Sequence, residues 1–167
     1  MPVDHAAIRE ILLKNPRKMT MQLAKELNVP EVEVIRSMPE GQFIELDVAK
    51  WEEIIRGFAP LGKLHVICTN GAVTLEANGI FGEFSTWGEF FNVQTPTLDM
   101  HIRPKNIGAI FAVEKPSHMD GVKTLSVHFY DTEGHAAFKV FLNFGQAKAD
   151  ALREAFFAEV KTKYLKG

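Results

Sequence analysis

The chain has 167 residues, 46% of them hydrophobic and 24% charged, with a formal net charge of -2. Those proportions exclude a disordered or fibrous protein, and the near-zero charge gives no overall attraction to nucleic acid. The lone cysteine, Cys68, excludes an intrachain disulfide framework and suits a reducing cytosol. No apolar run approaches the roughly 20 residues that span a bilayer. The opening MPVDHAAIRE has neither the basic nor the apolar stretch of an export signal. A cytoplasmic protein without stable membrane insertion is therefore expected.

From Asp4 to about Phe58 the signals are helical. Asp4 can cap a helix carrying Ile8, Ile11 and Leu12 on one stripe, and Thr20 can cap a second with Leu23, Ala24 and Leu27. Pro30 suits the first turn of a third that ends before Pro39, and Asp47 can cap a fourth with Trp51, Ile54, Ile55 and Phe58 as its apolar face. After Gly62 the period changes to two: Leu64, Val66 and Cys68 oppose Lys63, His65 and Ile67, and an Asn70-Gly71 turn leads to Val73, Leu75 and Ala77. Further strands are expected at Ile80–Ser85, Glu89–Gln94, Leu98–Arg103, Gly108–Glu114, Thr124–Tyr130 and His135–Leu142. A helix from Lys148 to Leu165 closes the chain, with Leu152, Phe156, Val160 and Tyr164 along one side.

The fold class that follows is α+β: short N-terminal helices, a large antiparallel meander, and a C-terminal helix packed on the sheet. No linker rich in Gly, Ser or Pro intervenes, so residues 1–167 are expected to form one domain: a helical part over 1–60, a sheet over 61–145 and the last helix over 146–167.

The stretch MTMQLAKELNVPEVEVIRSMP has the shape of a helix-turn-helix. Its second helix would offer Glu31 and Glu33 where base-reading cations belong, with Arg36 its one cation, and carboxylates repel a polyanion. Arg17, Lys18 and Lys25 could touch phosphates, but Glu26 and Glu40 dilute them. A DNA-binding regulator is thus the weakest functional reading, and a docking module the default.

The chemistry is then expected in the sheet. Cys68 sits mid-strand beside apolar neighbours, as a small buried hydrophobe does. No phosphate-binding glycine loop, paired cysteines or HExxH spacing is present. What stands out is histidine at strand positions, His65, His101, His128 and His135, with His118 beside Met119 in the loop KPSHMDGVK. His101 shares a strand face with Asp99 and Arg103, His128 shares one with Tyr130, and Lys139 lies across a hairpin with Ala137 and Phe141 as face partners. A histidine beside cations on a Phe-rich sheet suits a flat apolar ligand with anionic groups. The same aromatics would equally fill an ordinary sheet core.

Several segments in order carry a resemblance: AKELNVPEVEVIRSMPE, the FFN of Phe90 to Asn92, MHIRPKNIGAIFAVEKP, and FYDTEGHAAFKVFLNF. Together, from about Ile8 to Val160, they resemble the HutX/ChuX family of cytosolic haem-utilisation proteins. No single motif is diagnostic; their collinearity is the argument. The resemblance implies a non-catalytic carrier of haem b (protohaem IX) or a related tetrapyrrole, reversibly bound, in a bacterial uptake pathway. It implies a homodimer similar to one chain of the two-repeat HemS/ChuS-type proteins, with a haem transporter or haem-degrading enzyme as partner and no nucleic acid.

Carried over by residue, it places His101 as iron ligand or haem contact, and Arg103 and Lys139 as propionate partners. Tyr130, His128, Met119 and Phe90 are further expected contacts, and His65 and His118 alternative iron ligands. Departures are also visible. Phe90 stands where relatives carry a tyrosine, Thr69 where some carry a histidine, and Asn143-Phe144-Gly145 where a Gly-Arg-Asp is common. A haem-degrading enzyme fed by an external reductant is the runner-up function.

Overall fold

Asp4 starts the first helix, α1 (His5–Lys14), by accepting a bond from the Ala7 amide at 3.0 Å. The computed structural model describes residues 2–145 and 147–167. The expected boundary of the C-terminal segment at residue 146 lies outside them. α2 (Thr20–Leu27) and α3 (Glu31–Arg36) follow. Two expected caps differ. Thr20 is the first residue of α2 and its hydroxyl goes instead to Glu31, at 2.6 Å, while Pro30 stands just before α3.

Phe43–Leu46, placed by sequence in the helical part, forms a strand, β1. Four residues show no readable period alone; β1 exists because its backbone pairs with β7 (Ile107–Pro116). Asp47 caps a single 3-10 turn that leads into α4 (Trp51–Gly57). The remaining strands are β2 (Lys63–Thr69), β3 (Thr74–Ile80), β4 (Ser85–Trp87), β5 (Phe90–Thr95), β6 (Leu98–Ile102), β8 (Lys123–Asp131) and β9 (Ala136–Phe141). α5 (Ala151–Lys163) ends the list, capped by Asp150.

The strands are antiparallel, as expected, but divide into two sheets. The large one has the order β1-β7-β8-β9-β2-β3, and the small one β4-β5-β6. No strand forms over the expected Ile80–Ser85. β3 ends at Ile80, Phe81 turns into the core, and Glu83 takes a φ of +48°, which stops the extended run.

Alternation along the large sheet gives it two apolar faces and hence two cores. On one face Leu64, Val66, Ile110, Val127, Phe129 and Val140 meet α4, α5 and the inner side of the small sheet through Phe58, Phe91, Ile102 and Phe157. On the other, Ala109, Phe111, Val113 and Tyr130 meet Ile8, Leu12, Leu23, Val34 and Ile35 of α1–α3. Each such fully buried side chain contributes about 1.5–3 kcal/mol. On α5 Phe157 and Val160 are buried, with Tyr164 at the C-cap; of the other residues expected on the stripe, Phe156 packs partly buried against the same core and Leu152 is exposed.

The helix-turn-helix shape is thus used inward. α3 buries Glu31, Val32, Val34 and Ile35, so the helix that would read bases faces the sheet. The fit is closest at the β8–β9 turn, where the Val32 amide donates to the Gly134 carbonyl at 3.1 Å. Gly134 has a φ of +88°, and a Cβ there would stand 2.6 Å from Val32 and 2.9 Å from Pro30. Gly134→Ala is therefore expected to lower the unfolding free energy by about 1–3 kcal/mol, measured by chemical denaturation. Gly71→Ala, at an open turn with no atom within 4 Å and a similar φ, isolates the backbone part of that loss.

Candidate functional site

The helices cover only part of the second face of the large sheet. Beside them a cavity of about 330 Å³ lies over β7, β8, β9, β2 and β3. Ligand sites span about 300–1,000 Å³. Its wall is apolar, formed by Val113, Ala137, Phe141 and Phe144, with Met19 from the start of α2 and Met119 from the β7–β8 loop. Small Ala137 lines it beside the aromatic rings. Arg17 pins the loop at the rim by donating to the carbonyls of Ser117, His118 and Met119.

Polar groups gather on the floor. On β8, Ser126, His128 and Tyr130 share one face by the strand's period of two: Ser126 Oγ is 2.9 Å from His128 Nε2, and His128 Nδ1 is 3.0 Å from the Tyr130 hydroxyl. Burial, then the charges of Lys139 and Lys115, holds the His128 imidazole well below its ordinary pKa, so it is neutral. Burial, then the Glu31 carboxylate, holds the Tyr130 phenol well above its own.

Lys139, opposite His128 on β9, donates to Glu31 Oε2 at 2.6 Å. Glu31 comes from α3, is 4% exposed, takes the Thr20 hydroxyl on the same oxygen, and has no partner for Oε1 among the described residues. Lys139 therefore already has a counter-ion.

Lys115 on β7 has none among the described residues. Its ammonium donates to the main-chain carbonyls of Lys18 at 3.3 Å and Pro116 at 3.2 Å. Burial, then the charge of Lys139, pushes its pKa down to about 8.

The structure brings Lys139, His128, His118 and Met119 to the cavity, with Tyr130 directly beneath. His65 lies behind the wall. Its ring stacks on Phe144, with centroids 3.7 Å apart, and its nitrogens meet Asn78 at 2.9 Å and Glu76 at 2.8 Å. His101, Arg103 and Phe90 do not line the cavity. They share the outward face of the small sheet, whose inward face is buried in the first core. There Asn92, itself buried, meets His101 Nδ1 at 2.7 Å, and Asp99 lies 3.3 Å from Nε2. Arg103 lies over the Phe90 ring at 4.6 Å and pairs with Glu89 at 2.5 Å.

Sequence reasoning missed Lys115, Glu31 and Phe144. Lys115 could have been found: it follows Phe111 and Val113 at a spacing of two, a cation on an otherwise apolar strand face.

Residues 44–158 match the family model for haem utilisation ChuX/HutX. The chain belongs to this family. It is 23% identical over 137 residues to the intracellular heme transport protein HutX of Vibrio cholerae, an alignment that covers 81% of this chain and 70% of that one. Its fold is similar to that of the heme-binding protein ChuX, with a TM-score of 0.81 at 22% identity over 93% of this chain and 97% of that one. It is also similar to the heme degrading enzyme ChuS of Escherichia coli O157:H7, with a TM-score of 0.76 at 14% identity over 96% of this chain and 48% of that one. The family fold is thus present once here, in about half the length of ChuS. No helix among the described residues is long and apolar enough to cross a membrane.

The Glu31–Lys139 pair bridges the helices and the sheet in a buried place. Lys139→Met leaves a buried carboxylate uncompensated and is expected to cost about 3–5 kcal/mol of stability, most of it recovered by adding Glu31→Leu. Thermal unfolding of the two single variants and the double variant measures this.

Proposed function

We propose that the chain is a cytoplasmic, non-catalytic haem carrier of a bacterial uptake pathway. It binds haem b or a related tetrapyrrole reversibly and passes it from a transporter to a haem-consuming enzyme. The observation that carries this reading is the cavity: an apolar wall of Phe141, Phe144, Ala137 and Val113 beside cationic groups on one floor. A haem is a flat apolar ring with carboxylates on one edge, and such a lining suits both parts. The names of the family's relatives, a heme transporter and a heme-binding protein, support the same ligand.

His118 and Met119, on the rim, are the iron-facing residues of the cavity, and His128 and Tyr130 shape its floor. The buried His128 has both ring nitrogens engaged, so it holds the floor in shape and does not bind iron. At His101 the Asn92 carboxamide oxygen, 2.7 Å from Nδ1, would orient the ring, and Asp99, 3.3 Å from Nε2, would have to give way to an iron. Because His101 lies off the cavity, it would serve a haem shared between two copies of the chain, with Phe90 and Arg103 beside it as ring and propionate contacts.

A hemin titration followed by absorbance tests the reading. Wild type is expected to give a saturable Soret shift, with an altered spectrum in His101→Ala and in His118→Ala. The absence of a saturable shift in wild type would end it. Loss of the haem bands on adding a reductant would make the protein a degrading enzyme instead.

A further inference from the structure

Two segments that meet at the rim of the cavity are held with unequal firmness. The link between α1 and α2 is fixed: the Asn15 amide donates to the Ile11 carbonyl at 2.9 Å, the Lys18 amide donates to the Asn15 carbonyl at 3.0 Å, and Leu12 and Leu23 on either side are buried. The β7–β8 loop is secured at its base, where Pro116 pairs with Lys123 and the Lys115 ammonium donates to the Lys18 carbonyl at 3.3 Å. Beyond that base it is self-contained. The Ser117 amide donates to the Val122 carbonyl at 2.9 Å and the Gly121 amide to the Ser117 carbonyl at 3.0 Å. The Met119 amide goes to the Ser117 hydroxyl at 3.1 Å and the Val122 amide to the Asp120 carboxylate at 2.9 Å. The loop therefore keeps its shape without help from the helices.

Among the described residues, the hydrogen bonds that join its tip to the helical part come from one side chain. Arg17 donates from Nε to the Ser117 carbonyl at 3.3 Å, and from Nη2 to the His118 carbonyl at 3.1 Å and to the Met119 carbonyl. His118 and Met119 are both exposed and both line the cavity, across from Met19 and Met21 of the other segment.

We infer that residues 117–122 form a lid on the cavity and that Arg17 is its latch: ligand enters and leaves when the guanidinium releases the three carbonyls and the loop swings as a unit about Pro116 and Lys123. The inference rests on the cavity being the ligand site and adds how that site opens. An exposed bond to a neutral carbonyl competes with water and holds weakly alone, but bonds from one planar fork form and break together. Such a latch keeps the lid shut and still lets it open. Because the latch is made from main-chain carbonyls, it is the same in the empty and the occupied protein. Its strength then cancels from the affinity and acts on both rates.

The test follows binding and release by stopped flow on wild type, Arg17→Met and Arg17→Lys, with uncharged pyrenebutanol read by fluorescence and hemin by absorbance, and with folding checked by thermal unfolding. Arg17→Met is expected to raise the association and dissociation rate constants about tenfold each and to leave the dissociation constant within about threefold of wild type. Arg17→Lys, which keeps the charge without the fork, is expected to fall between the two. Hydrogen exchange at the Ser117 and Gly121 amides is expected to stay as slow in Arg17→Met as in wild type, since the loop swings without melting. Faster dissociation with unchanged association would make Arg17 a contact of the bound state and overturn the latch, as would unchanged rates in both variants. Lost protection at the two amides would overturn the rigid swing. If hemin fails to bind while pyrenebutanol exchange still quickens in Arg17→Met, the latch stands and the haem reading falls; if neither probe binds, both fall.

Discussion

The ion pair between Glu31 and Lys139 is the constraint on which the rest of the arrangement depends. It is the place where the helical start of the chain and the sheet exchange charge out of reach of water. A carboxylate that deep is tolerated only with a cation beside it. So α3 must sit against β9, and α2, joined to α3 through the left-handed Asn28, must set Met19 and Thr20 at the cavity's edge. The same pair removes Lys139 from the charges available to a ligand.

The cavity is a consequence of unequal coverage. α1–α3 are too short to blanket six strands, so they cover β1 and only parts of β7, β8 and β9, and leave the rest of that face to be closed by single side chains. Phe144 and Met119 partly close it, and Arg17 ties the β7–β8 loop back to the link between α1 and α2. Along β8 the serine, histidine and tyrosine hydrogen-bond to one another, so these three polar side chains are partnered although buried.

The histidine singled out from sequence and the cavity found in the structure occupy different surfaces. His101 is held by Asn92 on the outward face of the small sheet, and that sheet's inward face is filled by Phe91, Val93 and Ile102. The large sheet presents the cavity on its other face. Within one copy of the chain His101 does not line the cavity.

Much of this was legible in the sequence. The caps at Asp4 and Asp47, the period of two from Lys63 onward, and the face shared by His128 and Tyr130 are local properties, set by neighbours a few residues away. The acidic character of the second helix was also legible, but not that Glu31 is buried against the sheet. β1 was not legible, because four residues pair only with a strand more than sixty positions later. Nor was the division into two sheets, nor the pairing of Lys139 with Glu31. Which lysine meets Glu31 across a separation of 108 residues is a fact of packing. The sequence by itself determined the class of fold, the family and the residue types available for a flat anionic ligand. Only the tertiary structure decided which of them share a cavity and which lysine meets Glu31, because both depend on long-range contacts that no local period records.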